Sequence, residues 1–166
     1  MDFVTHSIAW CRGEIFEGRM FGLFGLVVLM VAVAYWKMAA TPSARAMFVP
    51  LLVVGIFALG TGIYLNLANQ ARIPNYEEAA QADERAFAES EKERTEAFIK
   101  WYPVTMWSMS ALILAGCLVF LLIPTPNGRA IGLSMAMFGL SVLFLDHFSE
   151  VRAEIYHAHI LDYLAR

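Results

Sequence analysis

The amino-acid sequence predicts an all-α fold: an integral membrane four-helix bundle with a helical polar segment between spans 2 and 3 and a helical C-terminal extension. Two observations carry this expectation. The chain of 166 residues is 59% hydrophobic and only 16% charged, against about 45–50% and 25% in an average soluble domain. Four apolar stretches also approach the ~20 residues that a helix needs to cross a hydrocarbon core of ~30 Å. A soluble bundle with a very apolar core is the alternative, but uncharged runs of this length are hard to solvate.

The spans are expected near 20–36, 47–69, 101–123 and 130–146, within a single membrane domain 1–166. None carries Lys, Arg, Asp, Glu or His near its centre. Tyr35, Trp36, Tyr64, Trp101, Tyr102 and Trp107 fall at or near span ends, where amphipathic rings favour the interface. Before the first span, Asp2, His6, Arg12, Glu14 and Glu17 interrupt any short apolar core of a cleavable signal peptide. That span is therefore expected to stay in the mature protein. Gly22/Gly25 and Gly132/Ala136 place small residues where helices approach closely. No internal repeat stands out beyond a shared plan of two spans joined by a short turn.

The short turns are Lys37 to Arg45, containing Pro42, and Pro124 to Arg129 with its Pro-Thr-Pro-Asn-Gly run. The polar segment 70–100 is different in kind. Pro74 is expected to break the preceding helix, with Asn75 and Glu78 forming a capping box for a new one. From Tyr76 to Lys100 there is no Gly or Pro. About 25 helical residues extend ~37 Å, yet both ends must return to one membrane face. The segment therefore either lies along the surface or folds into a hairpin. Tyr76, Phe87 and Phe98 recur every eleven residues and share one side of a continuous helix. A stripe this sparse predicts a mostly solvated helix resting on the membrane or on a neighbouring subunit. The C-terminal helix is expected over 147–166.

Four spans put the N-terminus, the polar segment and the C-terminus on one side. That side holds nine of the twelve Lys/Arg residues, the turns holding Lys37, Arg45 and Arg129. The positive-inside rule counts cations and places both termini in the cytoplasm of a plasma or inner membrane. All fifteen acids lie on the same side, which works against a simple net-charge reading. A net charge of −3 without a Lys/Arg-rich tract argues against nucleic acid as a partner.

The segment after span 4 carries the most chemistry. On a continuing helix, His147, Glu150, Glu154 and His157 fall within about 80° of one another. Glu154-x-x-His157 matches the Glu-x-x-His unit of di-iron carboxylate bundles. His6, Glu14 and Glu17 share a face of an N-terminal helix and are candidate complementary ligands. Imidazole with carboxylate suits Fe, Mn or Zn. Against a metal site, such bundles use two Glu-x-x-His units and this chain has one. Leu161 and Leu164 continue the same stripe, Val151, Ile155 and Ala158 flank it, and Arg152 or Arg12 can pair the carboxylates. A b-type haem finds no histidine inside any span.

A transport path would draw on Thr61, Asn66, Asn69, Thr105, Ser108, Ser110, Ser134 and Ser141, which are more often helix-packing groups. Cys11 would be reactive if Arg12 lowered its pKa, but a lone cysteine beside a membrane helix is most often inert, or at most a lipidation site. With Cys11 outside span 1 and Cys117 deep in span 3, the two are too far apart to bridge.

The sequence names no activity. Its leading reading is a multi-pass membrane subunit in the lipid bilayer that forms a homo-oligomer or binds a membrane-complex partner. The interaction surface would come from the polar segment and both terminal helices. One alternative is a metal-dependent membrane enzyme or metal sensor, and another a small oligomeric channel or transporter.

Overall fold

The first helix, α1, runs unbroken over Phe3–Met38. Its 36 residues give ~54 Å at 1.5 Å per residue, well beyond a hydrocarbon core. The excess lies at its N-terminal, polar end. The computed structural model describes residues 3–166. After α1 come a short α2 (Pro42–Ala46), a long α3 (Phe48–Ile99), α4 (Tyr102–Leu122) and α5 (Pro126–Leu164). Among the described residues there is no strand.

Local chemistry places the breaks. Thr41 caps α2, accepting from the Ala44 amide at 3.2 Å, and Thr125 caps α5, accepting from the Gly128 amide at 3.1 Å. Pro42 and Pro126 stand in the first turns, where a missing N–H costs nothing.

Pro74 does not end the helix before it. The chain stays helical through Pro74, so Asn75 and Glu78 sit inside α3 and cap nothing. The break comes at Asp83, where φ −159° and ψ 100° leave the helical region. There Asp83 Oδ1 accepts from the amides of Arg85 (3.1 Å) and Ala86 (3.0 Å), starting the second arm.

This break makes the polar segment a helical hairpin. Tyr76 and Phe87 are buried and their rings lie 5.1 Å apart, with Phe98 packed against the same cluster. The eleven-residue stripe is therefore not a solvated face of one straight helix. It lines the inside of a hairpin whose arms close on α1 and α5. Phe3, Trp10, Cys11, Tyr156 and Ile160 complete this core. Phe3 and Tyr163, near the two ends of the described residues, thus meet at the polar end, their ring centres 4.9 Å apart.

Three helical runs are long and apolar enough to cross a membrane: Phe3–Met38, Pro42–Leu122 and Pro126–Leu164. The sequence predicts four spans, and two of its apolar stretches fall in the middle run because the polar segment between them is itself helical. The packing is also less even than a four-helix bundle. Helices α1, α3 and α5 pack on one another, while α4 rests mainly on α5 and buries only Tyr102 and Gly116.

Close approach between helices depends on glycine. A Cβ on Gly62 would lie 2.5 Å from the Gly18 carbonyl oxygen and from the Gly22 amide nitrogen. A Cβ on Gly132 would lie 2.5 Å from the Gly116 carbonyl oxygen. Backbones meet at α1/α3 and α4/α5 because these side chains are absent. Gly25 and Gly132 play the packing role that the sequence suggests, and Gly18, Gly62 and Gly116 join them.

Candidate functional site

Two buried ionic networks hold the polar end together. In the first, Glu91, on the second arm of α3, is 4% exposed. Its Oε2 accepts from Tyr76 Oη at 2.9 Å, Tyr156 Oη at 2.8 Å and Arg94 Nη2 at 2.6 Å. Arg94 Nε donates to Oε1 at 2.8 Å. Tyr156 Oη also lies 2.9 Å from Ser7 Oγ, but the carboxylate is the stronger acceptor for its one proton. The Arg94 guanidinium lies 4.6 Å from the centre of the Trp10 ring. Burial, followed by the neighbouring Glu91, pushes both tyrosines well above the usual phenol range. Arg94 is held above its ordinary value: desolvation opposes this, but the Glu91 hydrogen bonds and charge outweigh it.

In the second network Arg152, on α5, reaches two carboxylates one turn apart on α1. Its Nη2 donates to Glu14 Oε1 at 2.8 Å, and its Nη1 to Glu17 Oε1 in a short contact. Ser149 Oγ donates to the same Glu14 oxygen at 3.2 Å and lies 3.0 Å from Tyr102 Oη. Gly13 makes the space: a Cβ there would sit 2.8 Å from Arg152 Nε. Burial pushes the Glu17 carboxyl above its ordinary range, against the opposing pull of Arg152. Glu17 Oε2 is buried and has no hydrogen-bond partner.

The proposed metal ligands do not converge. No group of three or more His, Cys, Asp or Glu side chains able to hold a metal ion occurs among the described residues. His147 and Glu154 are exposed, Glu150 and His157 half-buried. The face that α5 turns inward carries Ala153, Tyr156 and Ile160 instead. His157 Nε2 lies 3.3 Å from Glu96 Oε1 of α3. His6 does not join Glu14 and Glu17. It stacks on His159 with ring centres 4.0 Å apart, while Arg152 takes both carboxylates. Burial, the His159 charge and the chain's amino terminus hold His6 below its ordinary pKa.

Of the groups named for a transport path, four make hydrogen bonds that hold helices rather than line a path, and Ser134 Oγ is buried without a partner. Asn66 Nδ2 donates to the Ile15 carbonyl at 3.2 Å, tying α3 to α1. Asn69, Thr105 and Ser141 donate to carbonyls four residues back in their own helices. Cys11 and Cys117 are both free thiols. Burial raises the Cys11 thiol to about 11, the opposite of activation, and the arginines that oppose this are Arg72 and Arg94, not Arg12.

No family model, curated protein or solved structure matches this chain. Function must therefore be argued from the geometry.

Sequence reasoning missed the Glu91 network. Glu91 and Arg94 stand at i, i+3 and are visible as a helical pair. Their burial depends on the Asp83 break, which brings Tyr76 back over the second arm.

Proposed function

We propose that this chain is an integral membrane subunit that crosses the bilayer four times and self-associates through α4 rather than catalysing a reaction. The observation that carries this is the unequal use of the helices. Helices α1, α3 and α5 bury faces against one another, whereas α4 rests mainly on α5 and turns Leu114, Leu118 and Leu121 outward. Lipid alone would satisfy those side chains. A second feature favours a helix: beside the α4/α5 contact lies an apolar hollow of about 230 Å³ walled by Cys117, Phe120, Leu121 and Leu133, which side chains of a second helix could fill.

The polar end is a weaker candidate for the seam. Its aromatic residues and three of its carboxylates are already engaged with one another, with tyrosines and with arginines. The cation distribution supports placing both termini and the α3 hairpin in the cytoplasm, at a plasma or inner membrane.

Cys117 provides a native probe, since it is exposed on α4 while Cys11 is buried. Oxidation of intact membranes with copper phenanthroline is expected to give a disulfide-linked dimer that disappears in Cys117→Ser. Wild-type chain that stays monomeric under those conditions would count against α4 as the seam.

A further inference from the structure

The cations of the polar end divide into two sets. Arg85, Lys92, Arg94, Arg152 and Arg166 each hold a carboxylate. Arg12, Arg19 and Lys100 hold none among the described residues, and Arg72 turns to Asn69 instead. This second set stands beside the apolar stretches, and two of its members share a face. On α1, Arg12, Phe16, Arg19 and Leu23 fall within about 60° of one another, and all four are exposed. The neighbouring helices leave this face open, because α1 turns Gly18 and Gly22 to α3, and Gly13, Glu14 and Glu17 to α5. The carboxylates of this stretch are therefore on the far side of the helix, engaged by Arg152. Phe16, between the two arginines, is 62% exposed.

We infer that this stripe binds an anionic phospholipid, its phosphate held between Arg12 and Arg19 and an acyl chain lying along Leu23 and Met30. Charge names the head. Two unpaired guanidinium groups call for an anion, and their planar fork matches a phosphate. Arg12 and Arg19 stand ~10.5 Å apart along the helix axis. The Arg19 side chain leans toward the N-terminal end of its helix, the direction in which Arg12 lies. An arginine at the edge of an apolar run also lays its stem on apolar surface and sends its charge to the interface. Both cations thus serve one headgroup layer, with Phe16 between them for the upper part of a chain. Hydropathy names the rest of the ligand. Beyond Arg19 the same face continues as Leu23 and Met30, both exposed, which a free phosphate leaves bare and an acyl chain covers. A zwitterionic head is the poorer fit, since its ammonium would meet the arginines as a like charge. The inference concerns binding alone and rests on the bilayer placement proposed above.

The test is native mass spectrometry of the full chain in detergent, titrated with phosphatidylglycerol or with phosphatidylcholine of identical chains. The first phosphatidylglycerol is expected to bind about tenfold more tightly than phosphatidylcholine, the scale that two surface cations set. Arg12→Gln/Arg19→Gln should bring the two lipids within about twofold of each other. Its thermal unfolding should match wild type, because both side chains are exposed and unpaired. Arg12→Lys/Arg19→Lys keeps the charge and should keep most of the preference. Arg85→Gln/Arg166→Gln removes the same charge away from the stripe and should leave the preference intact. Equal binding of the two lipids to wild type, or equal loss in the two glutamine variants, would overturn the inference. So would displacement of the lipid by glycerophosphoglycerol, which carries the headgroup without the chains. A dimer mass lost in Arg12→Gln/Arg19→Gln would make the stripe a seam between copies, and would overturn it too. Alkaline carbonate extraction separates the two levels. A chain that leaves the membrane pellet defeats the bilayer placement and this site together, while one that stays but shows no lipid preference defeats the site only.

Discussion

At the residue scale, arginines set the character of the polar end. Glu14 and Glu17 are buried side by side on α1, and Arg152 is the cation that holds both. Removing one partner of a buried pair leaves uncompensated charge, and typically costs about 3–5 kcal/mol. Arg152→Ala is therefore expected to lower stability by roughly this amount in detergent, read by thermal unfolding. Restoring neutrality with Glu14→Gln and Glu17→Gln in the same chain should recover much of the loss. His6 gives a pH prediction. Its folded pKa lies below the ordinary 6.5, so the folded state binds fewer protons than the unfolded chain in that window. Its contribution is complete above 6.5 and is lost as pH falls through the folded value. His6→Phe should then flatten the acid side of the stability curve, and an unchanged slope would remove His6 as the cause. Helical periodicity groups His147, Glu150, Glu154 and His157 on one flank of α5. It does not reveal that the neighbouring helices bury a different face, the strip Ala153, Tyr156 and Ile160.

At the element scale, α3 is where sequence and structure diverge most. The apolar stretches, the two short turns and the helical nature of 70–100 follow from composition and spacing. The position of the break does not. Pro74 carries the strongest breaking signal, yet the helix continues through it, while Asp83 has no Gly or Pro beside it and ends the first arm by capping the second. Tertiary packing decides between the two, since only a turn near Asp83 brings Tyr76 onto Glu91. Asp83→Ala should cost about 1 kcal/mol, the usual value of an N-cap. Faster amide exchange at Arg85 and Ala86 would locate the loss. Two glycines of α3 offer a matched pair. A Cβ on Gly62 would collide with the α1 backbone, whereas one on Gly60 meets nothing within 4 Å. Gly62→Leu is expected to destabilise by at least about 1–3 kcal/mol, the usual cost of overpacking. Gly60→Leu should remain near wild type, and equal effects would contradict the α1/α3 contact.

At the scale of the whole molecule, the long helices join an apolar length and a polar end in one continuous piece. The apolar length of α1 and α5 accounts for membrane-crossing capacity, and their polar ends, together with the α3 hairpin, form a separate core closed by aromatic packing and buried ion pairs. The sequence makes the first part legible because hydropathy is a local property. The second part depends on pairings such as Tyr76 with Glu91 and Glu14 with Arg152, the latter 138 residues apart, which no local pattern encodes. The central claim is that the chain crosses a bilayer four times with both ends on one face. Single cysteines at Ala40, Ala82, Asn127 and Ala165, in a Cys11→Ser/Cys117→Ser background, test it directly by labelling with a membrane-impermeant maleimide in sealed vesicles. The account predicts that positions 82 and 165 label together from one face, and positions 40 and 127 together from the other. Labelling of all four from the same face, or of 82 and 165 from opposite faces, would contradict it.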